Sequence, residues 1–418
     1  MKNRDIIIGG GITGLSFAMY DAGEDWLVLE KEAVAGGYCK TTYRNGYVWD
    51  YSGHFFHFQD RDMERLIMRD MSREDLVEPV KNTKIKYKDL FVDYPFQKNI
   101  HQLDKEELID CLYDLFSERG KDYTNFKEML YSKFGASIAE KFLIPYNSKL
   151  YACDLNRLDK DAMGRFFPYA EPEEIVRNFK AGDNRSYNAT FVYPKKGSME
   201  YVRSVMSHLD ESRIRLGCEV EQIDLANKNV VTKAGERLAY DRLVSTLPFP
   251  KLLRLCGIEY DESIYSWNQV LVFNIGFDRK GPVDKFHWIY FPEGKYVFYR
   301  VGFYDNILSA DRTSVYVEIG FDNKTEIKPE EYYERVLRDM LAAGLIDENQ
   351  NVVDYETLVM NPAYVHITSR SNADVEAKKA LLARHHVYSI GRYGSWTYCS
   401  IEDNIKEARA LAMELNHN

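Results

Sequence analysis

Three glycines near the start of the chain are the first residues whose spacing could do chemistry. Gly9, Gly11 and Gly14 form a GxGxxG pattern between the apolar run 6–8 and a segment with helical spacing. Without side chains here, backbone N–H groups and a helix N-terminus can approach a pyrophosphate. Glu30 follows 21 residues after Gly9, at the end of a second apolar run, where its carboxylate could accept a hydrogen bond from a ribose hydroxyl. The pattern therefore predicts a dinucleotide site.

A second pair of glycines, Gly36 and Gly37, comes soon after this acidic residue. A Rossmann unit that binds only a nicotinamide dinucleotide does not require such a pair, which disfavours a nicotinamide-only reductase. The stretch 30–54 resembles the FAD-binding opening of the amine-oxidase and protoporphyrinogen-oxidase-like flavoproteins. Segments 218–248 and 389–392 resemble later parts of the same superfamily, in the same order along the chain.

Five short motifs narrow the resemblance to one family. They are GHFFH at 53–57, DYPF at 93–96, YNATF at 187–191, FYR at 298–300 and GRYGSWTY at 391–398. Together they resemble the UDP-galactopyranose mutase family, and its eukaryotic-type branch more than its bacterial one. The resemblance extends from residue 5 to about residue 412, and the last two motifs are its most specific parts.

This resemblance implies that the chain binds FAD, with the reduced form active and NAD(P)H as one candidate reductant. His54 is expected beside the isoalloxazine, as a catalytic residue that orients the flavin and holds a proton; the alternative is a core histidine with ordinary hydrogen bonds. The implied cofactor contacts are Gly9, Gly11, Thr13, Gly14, Glu30, Lys31, Gly36, Gly37, Gly53, His54, Val220, Arg392 and Asp403.

The implied substrate, a nucleotide diphosphate-sugar, carries two phosphate charges, so its site needs guanidinium groups and hydroxyl donors rather than metal ligands. No metal site is expected. By the resemblance, Arg300 is catalytic and binds the diphosphate, Arg165 reaches it from a mobile loop, and Tyr398 donates to a phosphate. Asn188 contacts the sugar or its phosphate, and Tyr151 stacks on the base. The alternatives are a surface arginine at 165, a cross-strand ion pair at 300 and a buried tyrosine at 398.

The activity that the resemblance implies is redox-neutral. It interconverts UDP-galactopyranose and UDP-galactofuranose, or a related nucleotide-sugar, through an adduct between flavin N5 and the anomeric carbon. Such an enzyme is a flavin-dependent isomerase that serves cell-surface polysaccharide biosynthesis. The protein itself has to hold the anomeric carbon over the flavin, stabilise the leaving diphosphate and relay a proton.

The sequence departs from the family at two places. Tyr151 stands where bacterial mutases place a tryptophan against the uracil, and the run CSIEDN at 399–404 replaces a Gly-Asn-Gln run of the eukaryotic-type enzymes. These departures leave the sugar and the nucleotide base open. The main alternative is an amine-oxidase-like or desaturase-like FAD oxidoreductase, with an apolar or aromatic pocket instead of paired arginines. A flavin-binding protein without catalytic activity is a third hypothesis.

The order of the predicted elements indicates an α/β fold: a Rossmann-like FAD-binding domain with an inserted helical domain and an antiparallel sheet domain for the substrate. Strand patterns are dense at 271–277, 286–291, 296–301 and 314–321. The predicted division is as follows: an FAD-binding domain at 1–85, 190–250 and 385–418, a helical domain with a mobile loop at 100–188, and a sheet domain at 86–99 and 255–384.

Composition excludes several classes of protein. With 418 residues, 45% of them hydrophobic and 29% charged, the chain suits two or three folded domains rather than a disordered or collagen-like protein. A net charge of −10 disfavours a nucleic-acid binder. Six cysteines without a CxxC pair favour a reducing compartment, and no apolar run approaches the roughly 20 residues of a membrane span. We therefore expect a cytoplasmic protein without membrane contact; whether it forms a homo-oligomer stays open.

Overall fold

The computed structural model describes residues 5–23, 25–117, 120–182, 184 and 189–417. Its strands are β1 Asp5–Ile8, β2 Trp26–Leu29, β3 Thr41–Arg44, β4 Tyr47–Asp50, β5 Leu76–Val77, β6 Thr83–Tyr87, β7 Leu90–Asp93, β8 Tyr193–Pro194, β9 Ile214–Arg215, β10 Val220–Asp224, β11 Asn229–Thr232, β12 Arg237–Ala239, β13 Arg242–Ser245, β14 Asn268–Phe277, β15 Trp288–Tyr290, β16 Arg300–Phe303, β17 Ser314–Asp322, β18 Val352–Met360 and β19 Val387–Ser389. Its α-helices are α1 Ile12–Tyr20, α2 Arg61–Met68, α3 Lys105–Ser117, α4 Phe126–Ile138, α5 Ile144–Tyr151, α6 Pro172–Ala181, α7 Met199–Met206, α8 Phe249–Leu255, α9 Tyr304–Leu308, α10 Tyr333–Ala342, α11 Ser369–Ala383, α12 Gly391–Gly394 and α13 Ile401–Asn416.

A five-stranded parallel sheet, in the order β19-β13-β1-β2-β9, contains both the first and the last strand of the chain. All residues of β1 and β2 are buried, as expected of parallel strands covered on both faces. The first and last long helices, α1 and α13, pack on each other, and Phe17 and Ala408 join Ile7 and Val244 in one apolar cluster. The chain thus returns to its opening unit at its end, as the pattern predicted.

A seven-stranded sheet, in the order β18-β14-β17-β16-β15-β6-β7, forms the second layer. Its pairs are antiparallel except that β6 and β15 run parallel. Every residue of β14, at its interior, is buried. The strand predicted at 286–291 is shorter in the structure, and the strand predicted at 296–301 begins only at Arg300, so that a connection, 291–299, separates β15 from β16.

The region 100–188, for which a helical domain is predicted, contains α3, α4 and α5 in its first part, with a π-helical turn, Ala139–Leu143, before α5. Helix α4 is kinked at Gly135, which has a φ of 74°. A Cβ there would lie 2.5 Å from the carbonyl carbon of Asp114 on α3, so glycine allows the two helices to meet. Among the described residues, no helix is both long and apolar enough to cross a membrane.

Candidate active site

The first glycine turn connects β1 directly to α1. Gly9 has a φ of 103°, and a Cβ there would lie 2.1 Å from Thr246 Oγ1. A Cβ at Gly14 would lie 2.1 Å from the carbonyl oxygen of Gly9, so glycine is needed for the helix to start this close to the turn. Gly11 precedes α1, and among the described residues no side chain caps this helix start and no acidic residue lies in its first turn. The positive end of the helix dipole is therefore suited to a pyrophosphate.

The second glycine pair folds back onto the first turn. The Gly36 N–H donates to the carbonyl oxygen of Gly10 at 2.7 Å, and Gly36 and Gly37 both have positive φ values, 124° and 57°. A Cβ at Gly37 would lie 3.3 Å from the Cα of Gly11. Two turns that lack side chains thus lie in contact, and together they form a cradle that larger residues would fill.

Glu30 directly follows β2 and lies beside this cradle. Its Oε2 accepts from the Gly10 N–H at 2.7 Å and its Oε1 accepts from the Glu32 N–H at 2.8 Å, so the carboxylate has a fixed position. A carboxylate held at this place suits a ribose diol. Lys31 is exposed and forms an ion pair with Glu32, while Val220 is buried at the start of β10.

Asn404 lies at this candidate site, although the sequence reasoning did not single it out. Its Oδ1 accepts from the hydroxyl of Thr13, on α1, at 2.9 Å and from the N–H of Arg392 at 2.8 Å. Asn404 therefore joins the first glycine helix to the terminal GRYGSWTY motif. Its position just inside α13, whose start carries a capping box between Ser400 and Asp403, was the signal available in the sequence.

His54 lies in the segment that follows β4. Its Nδ1 is 3.2 Å from the carbonyl oxygen of Ser52. Burial lowers the pKa of His54 to about 4, and the charges of Arg392 and Arg300 act in the same direction, while the Ser52 hydrogen bond and the charge of Glu318 oppose them. The imidazole is thus neutral at pH 7 and lies close to both guanidinium groups.

Arg300 forms the cross-strand ion pair that was its alternative role. Arg300 on β16 and Glu318 on β17 are register partners, with Arg300 Nε 2.7 Å from Glu318 Oε2 and Nη2 2.6 Å from Oε1. Glu318 is fully buried, and the arginine side chain is 19% exposed. The guanidinium also lies 5.7 Å from the centre of the Tyr316 ring. A bidentate carboxylate therefore fixes the orientation of Arg300 without removing it from solvent.

Arg392 is surrounded by tyrosine rings. Its guanidinium is 4.6 Å from the ring centre of Tyr398 and 5.2 Å from that of Tyr364, and these two rings stack on each other at 5.7 Å. Its hydrogen bonds go to the carbonyl oxygens of Cys399 and Ala363. Within the described part of the chain, no carboxylate pairs with Arg392. Since arginine stays charged at any physiological pH, this positive charge is not neutralised by the protein.

Arg165 lies in a short 3-10 turn, Gly164–Phe166, and contacts the start of α13. It donates to Gln59 Oε1 at 2.9 Å and binds the carboxylate of Asp403. The neighbouring Phe166 packs edge-on against Tyr398, with ring centres 4.9 Å apart. Arg165 and Asp403, which the sequence assigned to substrate and cofactor respectively, thus bind each other.

Tyr151 and Asn188, the two remaining predicted substrate residues, add little to the description of the site. Tyr151 is only 1% exposed, with its ring edge-on to Tyr364 and Phe126 and with its hydroxyl buried without a hydrogen-bond partner among the described residues. One turn earlier on α5, Tyr146 contacts Tyr290 at 5.0 Å and is less deeply buried. Asn188 lies outside the described residues.

The site therefore combines a dinucleotide cradle with a neighbouring cationic region. Arg392 contacts Tyr398, and Tyr398 contacts Phe166 beside Arg165, while the charges of Arg392 and Arg300 both act on the pKa of His54. Among them only Arg392 has a charge without a counter-ion. The glycine cradle, the fixed Glu30 carboxylate and the α1 N-terminus fit the pyrophosphate and ribose of FAD, and His54 with Arg392 would face its ring system.

Comparison with known proteins agrees with this geometry. The sequence model of the family described as flavin containing amine oxidoreductase matches residues 12–366. A crystal structure of reduced UDP-galactopyranose mutase has a TM-score of 0.91 at 24% identity, over 99% of this chain and 94% of that chain. A putative protoporphyrinogen oxidase from Exiguobacterium sp. 255-15 has a TM-score of 0.79 at 17% identity, over 100% and 99% of the two chains. A CLA-producing fatty acid isomerase from P. acnes has a TM-score of 0.67 at 14% sequence identity, over 99% of this chain and 98% of that chain.

These likenesses confirm the predicted fold class, with its parallel sheet and its second, largely antiparallel sheet. At these sequence identities, the similarity to the solved structures shows only the fold. They include proteins named for quite different activities, so the reaction has to be argued from the site.

Proposed function

The chain belongs to the flavin containing amine oxidoreductase family, and we propose that within it the protein interconverts the pyranose and furanose rings of a nucleotide diphosphate-sugar. UDP-galactose is the first candidate, and a related sugar or base is the second. The proposal includes FAD as the cofactor, the division of the chain into FAD-binding, helical and sheet domains, and the likeness to the eukaryotic-type branch.

The uncompensated charge of Arg392 carries this proposal. A guanidinium that lies among tyrosine rings without a carboxylate calls for an anionic group on whatever binds beside it. The substrate of an amine oxidase is itself a cation in water and would be repelled here. A diphosphate, or the electron-rich ring of a reduced flavin, would be stabilised.

The chain's own residues then have separate tasks. Arg300 and Arg165, with the hydroxyl of Tyr398, would bind the diphosphate and stabilise it as a leaving group. Arg300 is pre-oriented by Glu318, so little side-chain entropy is lost when its remaining donors meet a phosphate. Reduced FAD, when bound, supplies a nucleophile for the anomeric carbon. His54, whose pKa is lowered to about 4 by burial, would be neutral at pH 7 and can offer one ring nitrogen as an acceptor and the other as a donor near that centre.

The test uses the purified holoenzyme. Flavin is identified by its visible spectrum, reduced anaerobically with dithionite and mixed with UDP-galactofuranose or a panel of other nucleotide-sugars, and the products are separated by chromatography. We expect the pyranose isomer only with reduced flavin, and at least tenfold less of it with Arg392→Met. Exposed Arg279, which pairs with its neighbour Asp278, provides the matched control as Arg279→Met. Bound flavin without conversion of any nucleotide-sugar, but with oxygen consumption on amines, would favour the oxidoreductase alternative instead.

A further inference from the structure

Ser52 has a backbone conformation that a serine adopts only at a cost. Its φ is 96°, a region that favours glycine because a Cβ crowds the neighbouring peptide group. The residue is 4% exposed and directly precedes Gly53 and His54. A glycine at position 52 would relieve this strain, so the serine side chain must contribute something that a glycine lacks. Strained non-glycine residues of this kind occur where the surrounding structure fixes them.

The hydroxyl of Ser52 supplies that contribution. It donates to Oε1 of buried Glu318, the same oxygen that Arg300 Nη2 binds, and Arg300 Nη2 is 3.4 Å from the hydroxyl oxygen. The carbonyl of Ser52 faces the other way, with its oxygen 3.2 Å from His54 Nδ1. One residue thus contacts the Arg300–Glu318 pair through its side chain and His54 through its backbone.

We propose that Ser52 is a positioning residue: its bond to Glu318 holds the backbone in the strained conformation, and the strained backbone holds the carbonyl against His54 Nδ1. A carbonyl oxygen can only accept, so Nδ1 carries the proton and Nε2 is left as an acceptor. The inference rests on the proposed function in one respect only: that function places the Arg300–Glu318 pair on the substrate side of Ser52 and His54 on the flavin side.

Two substitutions separate the hydroxyl from the backbone strain. Ser52→Ala removes the hydroxyl but keeps the Cβ, and Ser52→Gly removes both. If the hydroxyl bond is what holds the strained backbone, Ser52→Ala melts at a lower temperature than the wild type and also lower than Ser52→Gly. Should the alanine variant fail to fold, the glycine variant, whose backbone tolerates this φ but is no longer held in it by a hydroxyl bond, still gives the readouts below.

The decisive measurement is the tautomeric state of the His54 imidazole. Protein labelled with 15N-histidine is followed by NMR, with the His54 signals identified by their loss in His54→Asn. In the wild type we expect one tautomer with the proton on Nδ1, and in Ser52→Gly a mixture of tautomers. With UDP-galactofuranose as the probe, kcat of Ser52→Gly should fall about tenfold or more, because a misplaced proton carrier acts on the chemical step, while KM changes less than about twofold.

The outcomes are distinct. A Ser52→Gly variant with the wild-type His54 tautomer and wild-type kcat would overturn the inference. The tautomer and the melting temperatures are measured without any nucleotide-sugar. Therefore a wild type that converts no nucleotide-sugar, yet shows the Nδ1 tautomer and its loss in Ser52→Gly, would refute the proposed function and leave the positioning role of Ser52 supported.

Discussion

Nη2 of Arg165 lies 2.6 Å from each carboxylate oxygen of Asp403. Arg165 belongs to the segment between α5 and α6, whereas Asp403 belongs to α13, so this contact joins the helical insertion to the last helix of the parallel-sheet unit. Both side chains are partly exposed, at 40% and 29%. If the diphosphate binds Arg165 as proposed, it and Asp403 have to share the same guanidinium.

The first prediction concerns this competition. Asp403→Asn should tighten the binding of UDP, measured by calorimetry, by up to about fivefold, because a partly exposed ion pair contributes roughly 1 kcal/mol or less. An asparagine oxygen at this third position of α13 can still accept from the Ser400 N–H, so α13 should keep its start. Arg165→Ala should weaken UDP binding about tenfold, and adding Asp403→Asn to it should change nothing further.

Arg177→Ala is the matched control, since Arg177 is exposed and, within the described part of the chain, forms its ion pair with Glu173 on the same helix, α6. It should bind UDP as the wild type does. Equal UDP affinity in Arg165→Ala and in the wild type would remove Arg165 from the substrate site.

The second prediction concerns the stability of the Arg300–Glu318 pair. Arg300→Met leaves the fully buried Glu318 carboxylate without its cation, so the free energy of unfolding should fall by about 3 kcal/mol or more. Adding Glu318→Gln removes the stranded charge and should restore most of that loss. Urea unfolding of the two single variants and the double variant measures the coupling. Effects that simply add would show that the two side chains do not depend on each other.

Local patterns in the sequence predicted the parts of the site that depend on backbone shape. Gly14 and Gly37 could be interpreted because the atoms that a Cβ there would meet, the Gly9 carbonyl oxygen and the Gly11 Cα, belong to the same opening segment. Gly9, whose Cβ would meet the distant Thr246, could be interpreted only from the GxGxxG spacing. The strand–turn–helix opening and the return of the chain at β19 and α13 followed from periodicity for the same reason. Fold class was therefore accessible without any tertiary information.

Pairings between distant segments could not be predicted from the sequence. Arg300 could face a phosphate or a cross-strand carboxylate, and only the register of β16 on β17 brings Glu318 opposite to it. The parallel pairing of β6 with β15 was missed because side chains alternate in the same way in parallel and antiparallel strands. Likewise, Asn404 gains its role only when α13 packs on α1.

The third prediction concerns Lys149 on α5. Its ammonium nitrogen lies within hydrogen-bond distance of four carbonyl oxygens, those of Phe291, Glu293, Tyr296 and Phe298, at 2.9, 3.1, 2.9 and 2.5 Å, and its three N–H groups are shared among them. This group of carbonyls lies in the connection 291–299, directly between Tyr290 and Arg300. Lys149→Met keeps the length of the side chain but leaves the carbonyls without their donor, so the unfolding free energy should fall by about 2 kcal/mol or more.

Hydrogen exchange locates the effect of that change. Amides of 291–299 should exchange at least tenfold faster in Lys149→Met, and UDP should bind more weakly because Arg300 loses its support. Lys324→Met, at an exposed lysine in the loop after β17, is the control and should leave exchange of 291–299 unchanged. Unaltered exchange in Lys149→Met would show that the four hydrogen bonds do not hold this connection.

The fourth prediction is that the protein loses stability on mild acidification. Burial lowers the pKa of His54, His57, His287 and His366 from 6.5 to about 4 each. Between these values the unfolded chain binds protons that the folded chain does not, so the unfolding free energy falls as the pH drops from about 6.5 to about 4. For His366, which is 4% exposed, the full loss amounts to about 3 kcal/mol.

Three buried carboxyl groups act in the opposite direction. Burial raises the pKa of Asp50 and of Asp5 from 3.8 to about 6, and it also raises the pKa of Asp305, although the ion pair with Lys280 opposes this. The folded chain therefore takes up these protons first as the pH falls. With four histidines against three aspartates, the net effect between pH 6 and 4.5 should still be a loss of stability on acidification, with a slope of about 1 to 3 kcal/mol per pH unit.

A single variant measures how much His366 contributes to this pH dependence of the unfolding free energy. His366 is held between the Ser266 hydroxyl and the Tyr151 carbonyl oxygen, each at 2.9 Å. His366→Gln can bond to both groups but cannot titrate, so the slope of unfolding free energy against pH should decrease by about 1.4 kcal/mol per pH unit between pH 6 and 4.5. His417, at the C-terminal end of α13 and exposed, is the control as His417→Gln and should leave that slope as it is. An unchanged slope in His366→Gln would mean that His366 titrates alike in the folded and unfolded chains, contrary to its burial.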